Sequence, residues 1–297
     1  MRHLTELERW VPHAPWKELP REHGVLTSAL AEWLYRHYFI GWRPSEQPRA
    51  DSAGSPWFVA ELNARCAGCS TWEPGFELVS RNGKGAFVRN ESIQLWLADT
   101  RLMKQQGAQV LVKLPCAREG ALPGFFAIVA RAGHPAAADP HLKFYVNVTP
   151  KGALALMEDL LRAPSLRRAR FGAKVSNDPS QFGRRDTLLV YAAPEDAGRM
   201  AKYLRGFARH LQPETPPMTV ELAPGLGVAE SPPHHAESFG AHRCRLIAEA
   251  LFTARREGLH VDTALNERFE REGLDWSSPW LGVLPRRWLS ALTASRG

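Results

Sequence analysis

The chain has 297 residues, 44% of them hydrophobic and 23% charged, so it can bury a sizeable core and falls outside the disordered class. A net charge of +7 favours an anionic partner without naming one. No run approaches the roughly 18 apolar residues of a membrane span, the N-terminus has no apolar signal core, and four cysteines do not make a disulfide framework. The expectation is a soluble protein of a reducing cytoplasm with no membrane partner.

The spacing of Val25, Leu26, Leu30, Trp33, Leu34 and Tyr38 predicts a helix over His23–Ile40, with Gly41 as its stop. Residues 43–56 are rich in Pro, Ser, Gly and charge and read as a loop. Residues 57–108 carry Trp57, Trp72 and Trp96, and a helical pattern is expected around Glu91–Met103. QVLVKLP (109–115) and FFAIVA (125–130) read as strands, with Pro123 and its neighbouring glycine marking the turn between them. KFYVNV (143–148) alternates as a strand should. Thr149-Pro150 supplies an N-cap and a first-turn proline for a helix to about Arg162.

RFGAKVS (170–176) and TLLVYA (187–192) read as a strand pair around a turn at Asn177, Asp178 and Pro179. A helix over Pro194–Leu211, a strand at TVELA (219–223), a loop at APGLGVAESPP, and helices over Ala241–Arg256 and Val261–Glu272 complete the chain. Strands gathered between N- and C-terminal helices predict an α+β fold with a mainly antiparallel sheet. The weakest boundary lies near 105–108. It separates a helical, Trp-containing region, 1–105, from an α+β region, 106–297, within what reads as one compact body.

Lys143 and Tyr145 stand two apart on a strand and share a face, together with Asn147. Read blandly, this is the exposed face of an edge strand, where lysine discourages aggregation. Lys174 by default snorkels at the surface. Near Arg184, Arg185 or Lys143 it would instead be pushed towards the neutral amine and could act as a base. Arg243 and Arg245 flank Cys244 near a helix start, either as exposed arginines or close to backbone amides that could face an anion. The basic run Arg162, Arg167, Arg168 and Arg170 lacks interleaved aromatics and does not suggest nucleic acid. Cys66 and Cys69 form a lone CxxC with no second pair for zinc, though His234 and His235 are conceivable recruits; Cys116 and Cys244 read as small core residues. No Walker loop or GxSxG elbow is present.

Three segments in order, KFYVNVTPKGALALMEDLL, FGAKVSNDPSQFGRRD and LAPGLGVAESP followed by ESFGAHRCRLIAEAL, resemble the HopA-type family. LYRHYFIGW near the N-terminus is similar to it too, whereas 44–105 finds no counterpart. That family includes a type III effector of a plant pathogen and enzymes encoded beside kinase-like proteins in class V lanthipeptide and thioamitide clusters. It is distantly similar to the bacterial phosphothreonine lyases. The resemblance implies β-elimination of phosphate from phosphoserine or phosphothreonine, without metal or organic cofactor. It makes Lys174 the base that takes the α-proton and Lys143 a phosphate contact. Arg184 or Arg185, with Arg243, become phosphate-binding arginines. Tyr145 stands where the lyases carry a histidine acid. The implied partners are a phosphorylated precursor peptide and a separate kinase-like protein. A host-directed effector and a non-catalytic phosphopeptide-binding module are the alternatives.

Overall fold

The computed structural model describes residues 7, 23–41, 54–91, 93–107, 109–135, 140–232, 237–282, 284, 288 and 292. His234 and His235 lie outside them. The helix expected near the N-terminus is present as α1 (His23–Trp33), but it continues as a π-helical segment over Leu34–Phe39. Gly41 follows with φ +70°, the left-handed conformation in which glycine ends helices without a Cβ penalty. Helix α2 (Pro56–Cys66) comes next and was not legible as a helix; its N-terminal proline sits where a missing N–H costs nothing.

Two antiparallel sheets carry the rest of the α+β fold. The smaller is built from β1 (Ser70–Asn82), β2 (Gly85–Arg89), β3 (Gln94–Leu97), β4 (Met103–Gln106) and β5 (Gln109–Pro115), in the order β3-β2-β1-β5-β4. The helix expected around Glu91–Met103 is therefore replaced by β3, a 3-10 turn over Thr100–Leu102 and the start of β4. Leu95 and Leu97 pair across the ladder with Val88 and Ala86. Pairing with β2 outweighs a weak helical periodicity. The 105–108 boundary falls on the turn of the β4–β5 hairpin.

The larger sheet contains β6 (Ala117–Leu122), β7 (Phe125–Val129), β8 (Leu142–Val146), β9 (Phe171–Ser176), β10 (Leu188–Ala192), β11 (Val220–Ala223) and β12 (Leu226–Glu230), in the order β11-β12-β8-β10-β9-β7-β6. β5 and β7, expected to share a turn, belong to different sheets; the turn at Pro123 joins β6 to β7. β12 occupies the segment expected as a loop. Gly225 makes the turn at φ +77°, where a Cβ would lie 2.0 Å from the Gln212 carbonyl oxygen, and the next five residues pair with β8. Glycine and proline there punctuate a hairpin and do not open a loop.

Helix α3 (Pro150–Arg162) begins as expected, with the Thr149 hydroxyl accepting from the Gly152 N–H at 3.1 Å. Helix α4 (Pro194–Arg205) stops short of Leu211, where a 3-10 turn over Ala208–His210 intervenes. Helices α5 (Phe239–Glu257) and α6 (Val261–Arg271) match the two expected C-terminal helices.

The larger sheet is a middle layer. On one face Phe144, Val146, Ala173, Val175, Leu188 and Val190 pack against Leu62 of α2, Leu156 and Leu160 of α3 and Met200 of α4. On the other, Tyr145, Leu189 and Ala229 meet Leu34, Tyr38 and Phe39 and the buried faces of α5 and α6. Burying both faces favours the continuous apolar content of β8 and β10. It also makes any charged residue on those strands costly to place.

Candidate active site

β8 lies between β12 and β10, so Lys143 and Tyr145 are not on an edge strand. All five residues of β8 are buried, with Lys143 6% and Tyr145 2% exposed. The ladder registers Lys143 against Tyr191, and Tyr191 against Gly172. Tyr145 registers against Leu189, and Leu189 against Lys174. Partners directly opposite share a face, so Lys143 and Lys174 project from the same side of the sheet, diagonal across β10. This sheet register brings together two amines that are 31 positions apart in the chain.

The two amines sit on aromatic faces: Lys143 Nζ is 5.2 Å from the centre of the Tyr191 ring, and Lys174 Nζ is 4.3 Å from that of Phe125. Burial, and then the charge of Lys174, depress Lys143 to a pKa of about 7, against the pull of Asp186. Lys174 is lowered as well, chiefly by burial and also by Arg184, again opposed by Asp186. Neither amine has the ordinary surface-lysine environment that was the default for Lys174.

Arg184 and Arg185 part company. Arg184 forms a two-point clamp on Asp186, Nε to Oδ1 at 2.9 Å and Nη2 to Oδ2 at 3.0 Å, and it influences Lys174. Arg185 turns the other way. Its Nη1 donates to the Tyr38 carbonyl at 2.8 Å and its Nε to Glu214 at 2.9 Å. That capping of the π-helical segment's last turn suits a cation at a helix C-terminus. Two residues absent from the sequence-derived candidates complete the cluster: Asp186, 4% exposed, and Tyr35, whose hydroxyl donates to Asp186 Oδ2 at 3.2 Å. Both lay inside quoted segments, FGRRD and LYRHYFIGW. Tyr35 reaches Asp186 from the π-helical segment, a distortion frequent at functional sites.

Tyr145 projects into an aromatic pocket made with Phe39 and Phe239, and burial raises its phenol well above the ordinary value. Arg243 lies beside it and is 1% exposed, so it is neither an exposed arginine nor a helix-start amide site. Its Nε donates to the Pro279 carbonyl at 2.7 Å and its Nη2 to that of Leu281 at 3.0 Å. The adjoining Glu230 accepts from the Gly282 and Leu284 amides, both at 2.8 Å, so the two charged side chains pin one stretch of backbone. Asn147 directs its amide N–H to the Glu214 carbonyl at 2.9 Å, away from the lysines. Arg245 pairs with Glu237 and Glu249.

Cys66, Cys69, Cys116 and Cys244 are free, buried thiols; burial pushes Cys66 up to about 12 and Cys116 to about 11. Among the described residues no group of three or more His, Cys, Asp or Glu is arranged to hold a metal ion, and no helix is long and apolar enough to cross a membrane. Within the basic run, Arg162 pairs with Glu158 and Arg170 with Glu195.

The arrangement is a set of two amines, a guanidinium, a carboxylate and phenols, with Lys143, Asp186 and Tyr145 buried and Lys174, Arg184, Tyr35 and Tyr191 half-buried. It can bind an anion and take up a proton. Two solved structures share the fold. An effector protein from Pseudomonas syringae pv. tomato strain DC3000 superposes with a TM-score of 0.56 at 15% identity, over 94% of this chain and 97% of that one. An effector protein from Pseudomonas syringae pv. syringae strain 61 gives 0.52 at 15% identity, over 94% and 96%. No curated protein sequence matches. The HopA1 effector protein family matches residues 116–281, which span the strands bearing Lys143, Tyr145 and Lys174, the Arg184–Asp186 loop and Arg243. Since that match covers more than half of the chain, the protein belongs to the HopA1 effector protein family.

Proposed function

We propose that the protein is a phosphoserine/phosphothreonine lyase acting on a phosphorylated peptide. The observation that carries this reading is the pairing of Lys143 and Lys174 on one buried sheet face beside Arg184, with both amines depressed. An anion of charge about −1.5 to −2 entering such a site drives the amine it touches to the ammonium form. With Lys143 in that role, its charge disfavours a proton on Lys174, because the two amines are coupled. Neutral Lys174 takes the proton from the α-carbon. The released electron pair becomes the α,β double bond as the β-carbon–oxygen bond breaks, and phosphate departs with that oxygen. Dehydroalanine or dehydrobutyrine remains in the peptide.

Arg184 is favoured over Arg185 as the phosphate-binding arginine because it adjoins Lys174 while Arg185 caps a helix end. Arg243 stands next to Tyr145 and contributes positive potential there. Tyr145 donates a hydrogen bond towards the leaving oxygen. In this reading the substrate is a precursor peptide phosphorylated by a separate kinase-like protein, and residues 1–105 take part in recognising it. The effector description of the family and of both fold neighbours favours a second setting for the same chemistry, a phosphoprotein of a host cell.

Mass spectrometry of a phosphothreonine peptide after incubation with the protein tests the reading. Elimination leaves an unsaturated residue, and Lys174→Ala abolishes it while phosphopeptide binding persists. A restored hydroxyl, or an unchanged peptide that nonetheless binds, would replace the lyase with a phosphatase or a binding module.

A further inference from the structure

Asp186 is a buried carboxylate that the proposed elimination does not use. It follows Arg184 by two residues in the loop before β10, yet side chains from this loop and from four other elements surround it. Tyr35 reaches it from the π-helical segment, and Arg184 from its own loop. Lys143 and Tyr145 from β8, Lys174 from β9 and Tyr191 from β10 all lie within its electrostatic reach. It is a carboxylate that acts on both lysines, while Arg184 is a further cation and the three tyrosines are phenols held neutral, mainly by burial.

We propose that Asp186 is a positioning residue: its carboxylate fixes the Arg184 guanidinium and the Tyr35 hydroxyl beside Lys143 and Lys174 and supplies the negative charge that lets both amines share one face of the sheet. The clamp engages Nε and Nη2 of Arg184, and Tyr35 adds a further side-chain contact, so the plane of the guanidinium is fixed where an anion would meet it. Without the carboxylate, three cationic side chains would face one another in a low-dielectric layer, and repulsion would move or neutralise them. The carboxylate therefore does two things for an anion. It presents a fixed arginine edge, and it keeps a proton on the lysine pair at neutral pH.

The effect on turnover rests on the lyase reading; the effect on the amines does not. The test follows the lysine ε-amines of the isotope-labelled full-length protein by NMR while pH is varied. Asp186→Asn keeps the shape and removes the charge. The Lys143 and Lys174 titrations should fall by about one pH unit or more, the usual response to losing an opposite charge at close range. Asp186→Glu should bring them back towards the wild-type values. Should Asp186→Asn fail to fold, Arg184→Gln supplies the opposite sign: with a positive neighbour gone and the carboxylate freed towards the amines, both titrations should rise. In the phosphothreonine-peptide assay, the rising limb of kcat/KM against pH should move with the amines in Asp186→Asn, and KM should increase several-fold. Lysine titrations identical to wild type in a natively folded Asp186→Asn or Arg184→Gln protein would overturn the proposal. If the titrations move but the wild-type protein eliminates no phosphate, the positioning role stands and the lyase reading falls. If the wild-type protein eliminates phosphate and neither titrations nor pH limb move, the lyase reading stands and Asp186 has no positioning role.

Discussion

A lysine buried on a central strand is a stability cost held in place by its neighbours. Lys143 titrates near 7 when folded and near its ordinary 10.5 when unfolded, so between those values the unfolded chain binds more protons. Stability therefore rises with pH across that window, and the full penalty is present below about pH 7. Lys143→Met should raise the free energy of unfolding at pH 6 by an amount on the order of 2–4 kcal/mol, an advantage that shrinks towards pH 10 in urea denaturation. On the lyase reading, the same coupling sets the pH profile. If one amine must be charged to hold phosphate and the other neutral to take the proton, kcat/KM is bell-shaped, rising near pH 7 and falling as the second proton leaves. Tyr145→Phe removes only a hydroxyl from an aromatic pocket. It should leave stability nearly unchanged and slow elimination by about 10²-fold or more, read from single-turnover rates.

Among the elements, the π-helical segment after α1 is the part on which the site's geometry turns. It lies against the start of α5 at Gly240, where a Cβ would come within 2.3 Å of the Phe39 ring and 2.9 Å of the Tyr35 ring. Gly240→Ala should cost about 1–3 kcal/mol in chemical denaturation by overpacking this contact. It should also lower turnover, because Tyr35 is displaced from Asp186. The sequence pattern from Leu26 to Tyr38 announces a helix but not the extra residue in its last turn. A π distortion inserts a residue into a turn without removing the apolar residues that mark a helix, so the sequence pattern does not reveal it.

For the whole molecule, the layer of α1, α5 and α6 is closed by backbone that Arg243 and Glu230 hold from two directions, through carbonyls at 279 and 281 and amides at 282 and 284. Arg243→Lys cannot make both carbonyl contacts with a planar fork. Amide hydrogen exchange should quicken across 279–282, and global stability should drop by about 1–3 kcal/mol, the cost of buried carbonyls left without donors.

Much of the helical framework could be read from one dimension, because capping residues and 3.6-residue spacing are local. Thr149-Pro150 opens α3, and the strand pair β9–β10 is marked by its turn. Apart from β5, the smaller sheet was not legible, and neither was β12, since short strands gain their hydrogen bonds from partners far away and their glycines look the same in a loop. The cationic residues proposed for the site could be named in sequence, but which of them lie together could not. Long-range register placed Lys143 diagonal to Lys174, and separate backbone carbonyls drew Arg185 and Arg243 to other duties. Asp186 became the hub because a carboxylate removed from water must gather its donors and counter-charges from whatever elements the fold places against it.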